Sequence, residues 1–99
     1  MGSGVKLVGP VLRGMDADLV DGVVEAIIAD NPGIDVSVDD QGGYVRVGAP
    51  MRCRLTRASL EEALGRPFPL AQLEPSLSSF AGRMQSGDDE MVWFLSRED

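Results

Sequence analysis

The chain has no histidine and only one cysteine, Cys53, among its 99 residues. Ser-His-Asp triads and Cys-His pairs need histidine, and zinc or non-haem iron sites combine histidine, cysteine and carboxylates, so these absences argue against such machinery. A single cysteine forms no internal disulfide, which is typical of a reducing compartment. We expect Cys53 to be a small buried hydrophobe on an inward strand face rather than a nucleophile.

Basic residues are scarce and unevenly placed. The net charge is −7. Residues 16–40 carry eight acidic side chains and no basic one, whereas the only charged side chains of residues 41–60 are arginines. A nucleic-acid partner is disfavoured because phosphate contacts need clustered Lys and Arg. The pattern indicates either a solvated helix face beside a sheet with basic edges or a surface that steers a partner of complementary potential.

Long apolar runs and linkers are also missing. No stretch reaches the about 18–20 apolar residues that a membrane helix needs, and the first residues carry no signal-peptide pattern. An apolar fraction of 43% and a charged fraction of 25% are ordinary for one globular domain. We predict a single cytoplasmic domain over residues 1–99, without a membrane partner, monomeric when free and disordered at residues 1–4.

Periodicity and capping residues predict the elements of the first half. Residues 5–13 form a strand in which Pro10 indicates an edge position or a bulge. A helix begins after Asp16, the N-cap, and ends at the Asn31-Pro32 turn. Alternating apolar residues then predict strands over residues 34–39, 44–49 and 51–55.

The second half repeats this order. Thr56 caps a helix that runs to Leu64, and a second short helix covers residues 70–74. Residues 80–86 and 91–96 form a closing hairpin in which Trp93 is buried. The predicted class is α+β, with two β-α-β-β type units around a shared, mainly antiparallel sheet.

The segment from Ser78 to Arg83 is unusual because small residues flank one aromatic side chain, Phe80. Short side chains at Ser79 and Gly82 permit a close approach by a partner backbone, with Phe80 as an anchor. Arg83 suits a bidentate contact with a carboxylate. The alternative is a plain helix-to-strand connection with Arg83 solvated, and the residues alone favour neither.

Five motifs in a fixed order carry a resemblance that covers roughly residues 8–95. The motifs are Asp-Asn-Pro-Gly (30–33), Val-Ser-Val-Asp-Asp (36–40), Gly-Tyr-Val-Arg-Val (43–47), Leu-Glu-Glu-Ala-Leu-Gly-Arg-Pro-Phe (60–68) and Leu-Ser-Ser-Phe-Ala-Gly-Arg (77–83). Together they resemble the effector (coupling or regulatory) proteins of bacterial multicomponent diiron monooxygenases, the MmoB/DmpM family. The short N-terminal segment favours the toluene- or alkene-type branch.

The resemblance implies a non-catalytic subunit without metal or other cofactor. Such a protein docks on a diiron hydroxylase and tunes its active site for oxygen activation and hydrocarbon oxidation, in a system with a Rieske ferredoxin and an NADH-dependent reductase. It also implies where the partner interface lies. The expected interface residues are Asn31, Pro32, Tyr44, Arg46, Ser78, Ser79, Phe80, Gly82 and Arg83.

Two other functions stay open from the residues. β-α-β-β units also build small-molecule-sensing regulatory domains, which need a pocket with converging polar groups. An enzyme that works with carboxylates alone is the third hypothesis; its candidates are the acidic runs at residues 39–40, 61–62 and 88–90. These runs fall at predicted turns or on an exposed helix face, the usual setting of solvated charge.

Overall fold

The computed structural model describes residues 6–95, in which strands and helices follow one another in two similar halves. The predicted disorder at residues 1–4 and the outermost predicted strand residues, Val5 and Ser96, lie outside the described residues. The elements in chain order are β1 (Leu7–Arg13), α1 (Ala17–Asp30), β2 (Ser37–Asp40), β3 (Tyr44–Pro50), β4 (Arg52–Thr56), α2 (Arg57–Leu64), a 3-10 helix (Leu70–Ser76), β5 (Leu77–Ala81), β6 (Arg83–Ser86) and β7 (Glu90–Phe94).

The strands form two antiparallel sheets rather than the one shared sheet predicted from the sequence. The first has the order β2-β3-β1-β5 and the second β4-β7-β6, so the α+β class with antiparallel pairing is confirmed. The chain changes sheet at Met51, between β3 and β4, and at Gly82, between β5 and β6. Both residues have positive φ angles, 70° and 92°, which interrupt the extended backbone. The strand predicted over residues 80–86 is therefore split in two.

β1 is an interior strand of the first sheet, between β3 and β5. The edge position suggested by Pro10 is therefore wrong, and the alternative, a bulge, forms close by. Val11 pairs with Ser79 and Leu12 with Leu77, so Ser78 on β5 is left as the extra residue.

The two helices begin as their local sequences predict. The Asp16 carboxylate accepts a hydrogen bond from the Leu19 N–H (3.1 Å), and the Thr56 hydroxyl accepts one from the Ser59 N–H (3.2 Å). The apolar side chains of α1 are not all buried, because Ile28 keeps 51% of its surface exposed. Those that lie in the core include Leu19, Val20, Val23 and Ile27.

The core lies between the helices and the inward faces of both sheets. Cys53 and Trp93 face each other across β4 and β7, and neither side chain is exposed, which confirms both burial predictions. Burial raises the pKa of the Cys53 thiol to about 12, so the thiol stays protonated. β2 departs from its prediction: it begins only at Ser37, and Val38 at this sheet edge is about half exposed.

Candidate partner interface

The outer face of the first sheet, the face opposite the core, brings together three of the predicted interface residues. Arg46 on β3 lies opposite Asp39 on β2 and Val11 on β1, and Val11 in turn lies opposite Ser79 on β5. Tyr44, two residues before Arg46 on β3, has the same orientation and is 40% exposed. Arg46 and Ser79 are exposed as well. Tyr44 and Arg46 come from β3 and Ser79 from β5, on either side of β1, and the three side chains lie on one face of the sheet.

A row of small residues crosses the outer face beside Arg46. We call it the trough; it consists of Ser37, Gly48, Gly9 and Ala81, one residue from each strand in the order of the sheet. Gly48 and Gly9 are neighbours: a Cβ atom on Gly9 would lie 3.0 Å from the Gly48 Cα. The missing side chains leave a cavity of ≈ 220 Å³.

The lining of the trough is mostly apolar, and two residues of opposite charge, Arg46 and Asp39, lie at its rim. Leu7 supplies an exposed apolar side chain, while Val8 and Val47, whose side chains belong to the core, line the floor. Arg46 and Asp39 reach the cavity from the neighbouring row. Leu7 is 44% exposed although it is apolar. The trough is thus an apolar depression with a guanidinium beside it.

Glycine is required at the floor of the trough on β1. Gly9 has φ 152°, and a Cβ there would come within 2.2 Å of the Val47 carbonyl oxygen. Gly48 is less restricted, because its φ is not positive and a Cβ atom there would have the Leu7 Cβ as its nearest neighbour, at 3.1 Å. Sequence reasoning missed this feature, although glycine inside a predicted strand is a known signal of close approach by a ligand or another backbone.

The predicted segment from Ser78 to Arg83 does not form one surface. Ser78 is the bulge residue, and Phe80 lies opposite Pro10, on the core side of the sheet edge, where it is still 42% exposed. Arg83 belongs to the second sheet, where it lies opposite Phe94. Of this segment, only Ser79 and the neighbouring Ala81 share the outer face with Arg46.

Gly82 has a structural reason to be glycine that is independent of any partner. A Cβ atom there would lie 2.7 Å from Val8 Cγ1 and 2.8 Å from the Phe94 carbonyl oxygen. Its positive φ also disfavours other residues at the corner between β5 and β6.

The Asn31-Pro32 turn lies at the end of α1, and the Asn31 amide is committed within the chain. Its Nδ2 donates to the carbonyl oxygens of Ile27 (2.6 Å) and Arg54 (2.8 Å), and its Oδ1 accepts from the Arg54 N–H (3.1 Å). Asn31 therefore joins the helix end to β4, while Pro32 stays exposed.

The ion pairs of the described residues lie away from the trough. Arg54 pairs with Glu90 at 2.6 Å and Arg57 with Glu61 at 2.8 Å. The pKa of Glu61 is lowered, first by the hydrogen bond from the Phe68 N–H and then by Arg57. Within residues 6–95, by contrast, Arg46 has no hydrogen bond or ion pair with another side chain.

A second cavity, ≈ 700 Å³, lies between β4, α2 and the turn before β7, and most of its lining residues are charged. The carboxylate of Asp30, which lines this cavity, accepts hydrogen bonds from the Thr56 N–H (2.7 Å) and the Ser59 hydroxyl (2.6 Å). Asp30 therefore links the end of α1 to the start of α2. In residues 6–95 no three His, Cys, Asp or Glu side chains are placed to hold a metal ion, and no helix is both long and apolar enough to cross a membrane.

Known proteins share both this fold and much of this sequence. The chain is 57% identical over 89 residues to the effector subunit of the alkene monooxygenase system of Xanthobacter autotrophicus. The aligned residues cover 90% of this chain and 86% of that protein. It is 33% identical over 70 residues to DmpM, the stimulatory component of phenol 2-monooxygenase from a Pseudomonas species, with 71% and 76% of the two chains covered.

Solved structures agree with these sequence matches. A chain in a phenol hydroxylase–regulatory protein complex superposes with a TM-score of 0.76 at 27% identity, covering 92% of this chain and 100% of that one. The regulatory protein B of soluble methane monooxygenase has the same fold, with a TM-score of 0.63 at 21% identity, covering 95% of this chain and 67% of that one. The fold is thus that of monooxygenase regulatory proteins.

Residues 6–94 match the MmoB/DmpM family, and the chain belongs to that family. The resemblance inferred from the five ordered motifs is confirmed. The relatives are named effector, stimulatory or regulatory components, in agreement with the expectation of a non-catalytic subunit. Nothing supports the small-molecule-sensing alternative.

Proposed function

We propose that this protein is the effector subunit of a multicomponent alkene- or toluene-type monooxygenase, and that it docks on the diiron hydroxylase of that system. The observation that carries the proposal is the 57% identity to an alkene monooxygenase effector subunit, which extends over 90% of the chain. A Rieske ferredoxin and an NADH-dependent reductase would deliver electrons to the same hydroxylase. The proposed compartment is the cytoplasm, and the free chain is proposed to be a monomeric single domain without cofactor.

An effector without catalytic groups acts through binding energy. A partner that binds one conformation of the hydroxylase more tightly than another shifts the population toward that conformation, by no more than the difference between the two affinities. By the same linkage, a substrate or oxygen intermediate that favours this conformation tightens the binding of the effector. This accounts for control of coupling by a protein that supplies no metal ligand.

The outer face of the first sheet is the part of the predicted interface that the fold supports best. Tyr44 and Arg46 lie there on β3 and Ser79 on β5, on either side of β1, and all three are open to solvent. The other predicted interface residues fall into two groups. Pro32, Ser78, Phe80 and Arg83 would lie at its periphery, whereas Asn31 and Gly82 have structural roles that explain them without a partner.

Ser79→Trp tests this proposal. Ser79 is exposed on an outer-face strand, so we expect the variant to fold, to bind the hydroxylase more weakly and to give less product per NADH consumed. The matched control is Gln85→Trp, an exposed position on β6 in the second sheet. The proposed interface is refuted if Ser79→Trp is folded, by circular dichroism, and matches the wild type in both affinity and coupling.

A further inference from the structure

Burial divides the sulfur-containing side chains of the described residues into two groups. Met15 is 90% exposed and Met51 is 62% exposed. Met91 and Cys53 are buried, and Met84 is partly buried against the core. We propose that Met15 and Met51 are modification sites, which hydrogen peroxide oxidises reversibly to methionine sulfoxide while the fold stays intact. This inference is independent of the proposed function.

The cysteine, the side chain that peroxide usually attacks first, is protected in this fold. The thiolate is the reactive form of cysteine, and its oxidation needs contact with solvent. Cys53 has no exposed surface and faces Trp93 across β4 and β7. Burial also raises the pKa of its thiol to about 12, so the thiolate is scarce at neutral pH. Peroxide therefore meets exposed methionine thioethers before it meets the thiol.

The reaction at a methionine is the transfer of one oxygen atom. A lone pair of the thioether sulfur attacks one oxygen of hydrogen peroxide, and the O–O bond breaks. The proton on the transferred oxygen moves to the departing hydroxide, which leaves as water. The sulfur is oxidised by two electrons and the peroxide is reduced by two. No proton has to leave the thioether first, so the reaction depends on access to the sulfur.

Met51 lies at the corner between β3 and β4, and backbone hydrogen bonds hold this corner. The Met51 N–H donates to the Lys6 carbonyl oxygen (3.3 Å), and the Met51 carbonyl oxygen accepts from the Leu95 N–H (3.2 Å). The side chain takes no part in these bonds and is open to solvent. A polar sulfoxide at this position therefore leaves the corner closed and stays accessible to a reductase.

Met15 lies at the opposite end of β1 from Met51 and is also separate from the bonds around it. It immediately precedes Asp16, whose carboxylate caps α1 through the Leu19 N–H. That cap does not involve the Met15 side chain. β1 spans seven residues, or roughly 23 Å at about 3.3 Å per residue. The two sites are therefore far enough apart to react independently.

The methionines of the second sheet should behave differently. Met91 lies opposite Leu55, and Met84 lies opposite Trp93. A sulfoxide in the core would be a buried polar group without a partner, which destabilises the fold. Met91 should therefore react only when the structure opens, and Met84 should react more slowly than Met51.

Timed oxidation of the purified chain with hydrogen peroxide at pH 7 tests the proposal. Tryptic peptides report Met15 and Met51 separately, and fragmentation of one further peptide distinguishes Met84 from Met91. We expect Met15 and Met51 to react within about threefold of each other and Met91 at least about tenfold more slowly. Circular dichroism and urea stability should be unchanged when both exposed sites carry one oxygen. The two stereospecific methionine sulfoxide reductases, with a thiol, should then restore the original mass.

Met15→Leu and Met51→Leu are the matched variants. Each should abolish oxidation at its own position and leave the rate at the other position unchanged, because the sites are distant. Concentrated urea is the control for burial. In urea all four methionines of the described residues should react at similar rates.

Several outcomes would overturn the proposal without touching the proposed function. One is oxidation of Met91 or Cys53 in the native protein as fast as that of Met51. Another is loss of the native circular dichroism when oxidation is confined to Met15 and Met51, or failure of the reductases to reverse it. Unequal rates that persist in concentrated urea would count equally against it, since the selectivity would then come from the local sequence and not from the fold.

Discussion

Replacing Asn31 by alanine should destabilise the fold strongly, although this residue was predicted from the sequence to meet a partner. The substitution removes the hydrogen bonds to the Ile27 carbonyl and to both backbone groups of Arg54. Each such bond contributes about 0.5–1.5 kcal/mol net, and the Arg54 N–H would be left partly buried without its acceptor. We therefore expect a loss of about 2–4 kcal/mol, or roughly 10–25 °C in Tm for a domain of this size.

Urea unfolding followed by the fluorescence of the one tryptophan, Trp93, measures this loss. Asp35→Ala is the control, since Asp35 is exposed in the same loop and should change stability by less than about 0.5 kcal/mol. A loss below about 1 kcal/mol for Asn31→Ala would refute the assigned bonding. Affinity for the hydroxylase, measured at a temperature where the variant is folded, should be unchanged; a large decrease would show that Asn31 contacts the partner instead.

Three further predictions concern the core and the α2 region. Trp93→Ala should cost about 3–5 kcal/mol because the side chain is fully buried; a variant with wild-type urea stability would contradict this. Cys53, with its thiol pKa raised to about 12 by burial, should react with a thiol reagent at pH 8 only as fast as the protein opens, and rapid stoichiometric labelling of native protein would disprove its burial. Glu61 has a lowered pKa in the folded protein. The stability that its carboxylate contributes is therefore present above the pKa of the unfolded state, near 4.5, and is lost as the pH falls through the pKa of the folded state. The stability difference between wild type and Glu61→Gln should therefore shrink below about pH 4, and a constant difference from pH 3 to 7 would count against the hydrogen bond from Phe68.

Local chemistry explains which parts of the fold the sequence predicts. Asp16 and Thr56 each satisfy an N–H three residues further along the chain, so their capping roles depend on nothing distant. Cys53 belongs to a strand in which apolar residues alternate with arginines, so the alternation already assigns its inward face. Trp93 belongs to a run of four apolar residues, which favours burial. Such features need no knowledge of how the strands pair.

Features that depend on register or on distant partners are not predictable in this way. The trough combines one residue from each of four strands, and a shift of one residue in any pairing would turn a side chain to the other face. Asn31 meets Arg54, which lies 23 residues further along the chain. The division into two sheets depends on positive φ at Met51, a residue type that gives no such signal. Gly9 and Gly48 give a local indication, because each is a glycine inside a predicted strand.

The measurement that tests the central claim most directly is a titration of this chain into a reconstituted system of hydroxylase, ferredoxin and reductase, with product formed and NADH consumed both recorded. If the chain is the effector subunit, product per NADH should rise with its concentration and saturate when the hydroxylase sites are filled, and Ser79→Trp should need a higher concentration or reach a lower plateau. A flat response, with no complex between chain and hydroxylase by calorimetry, would contradict the account.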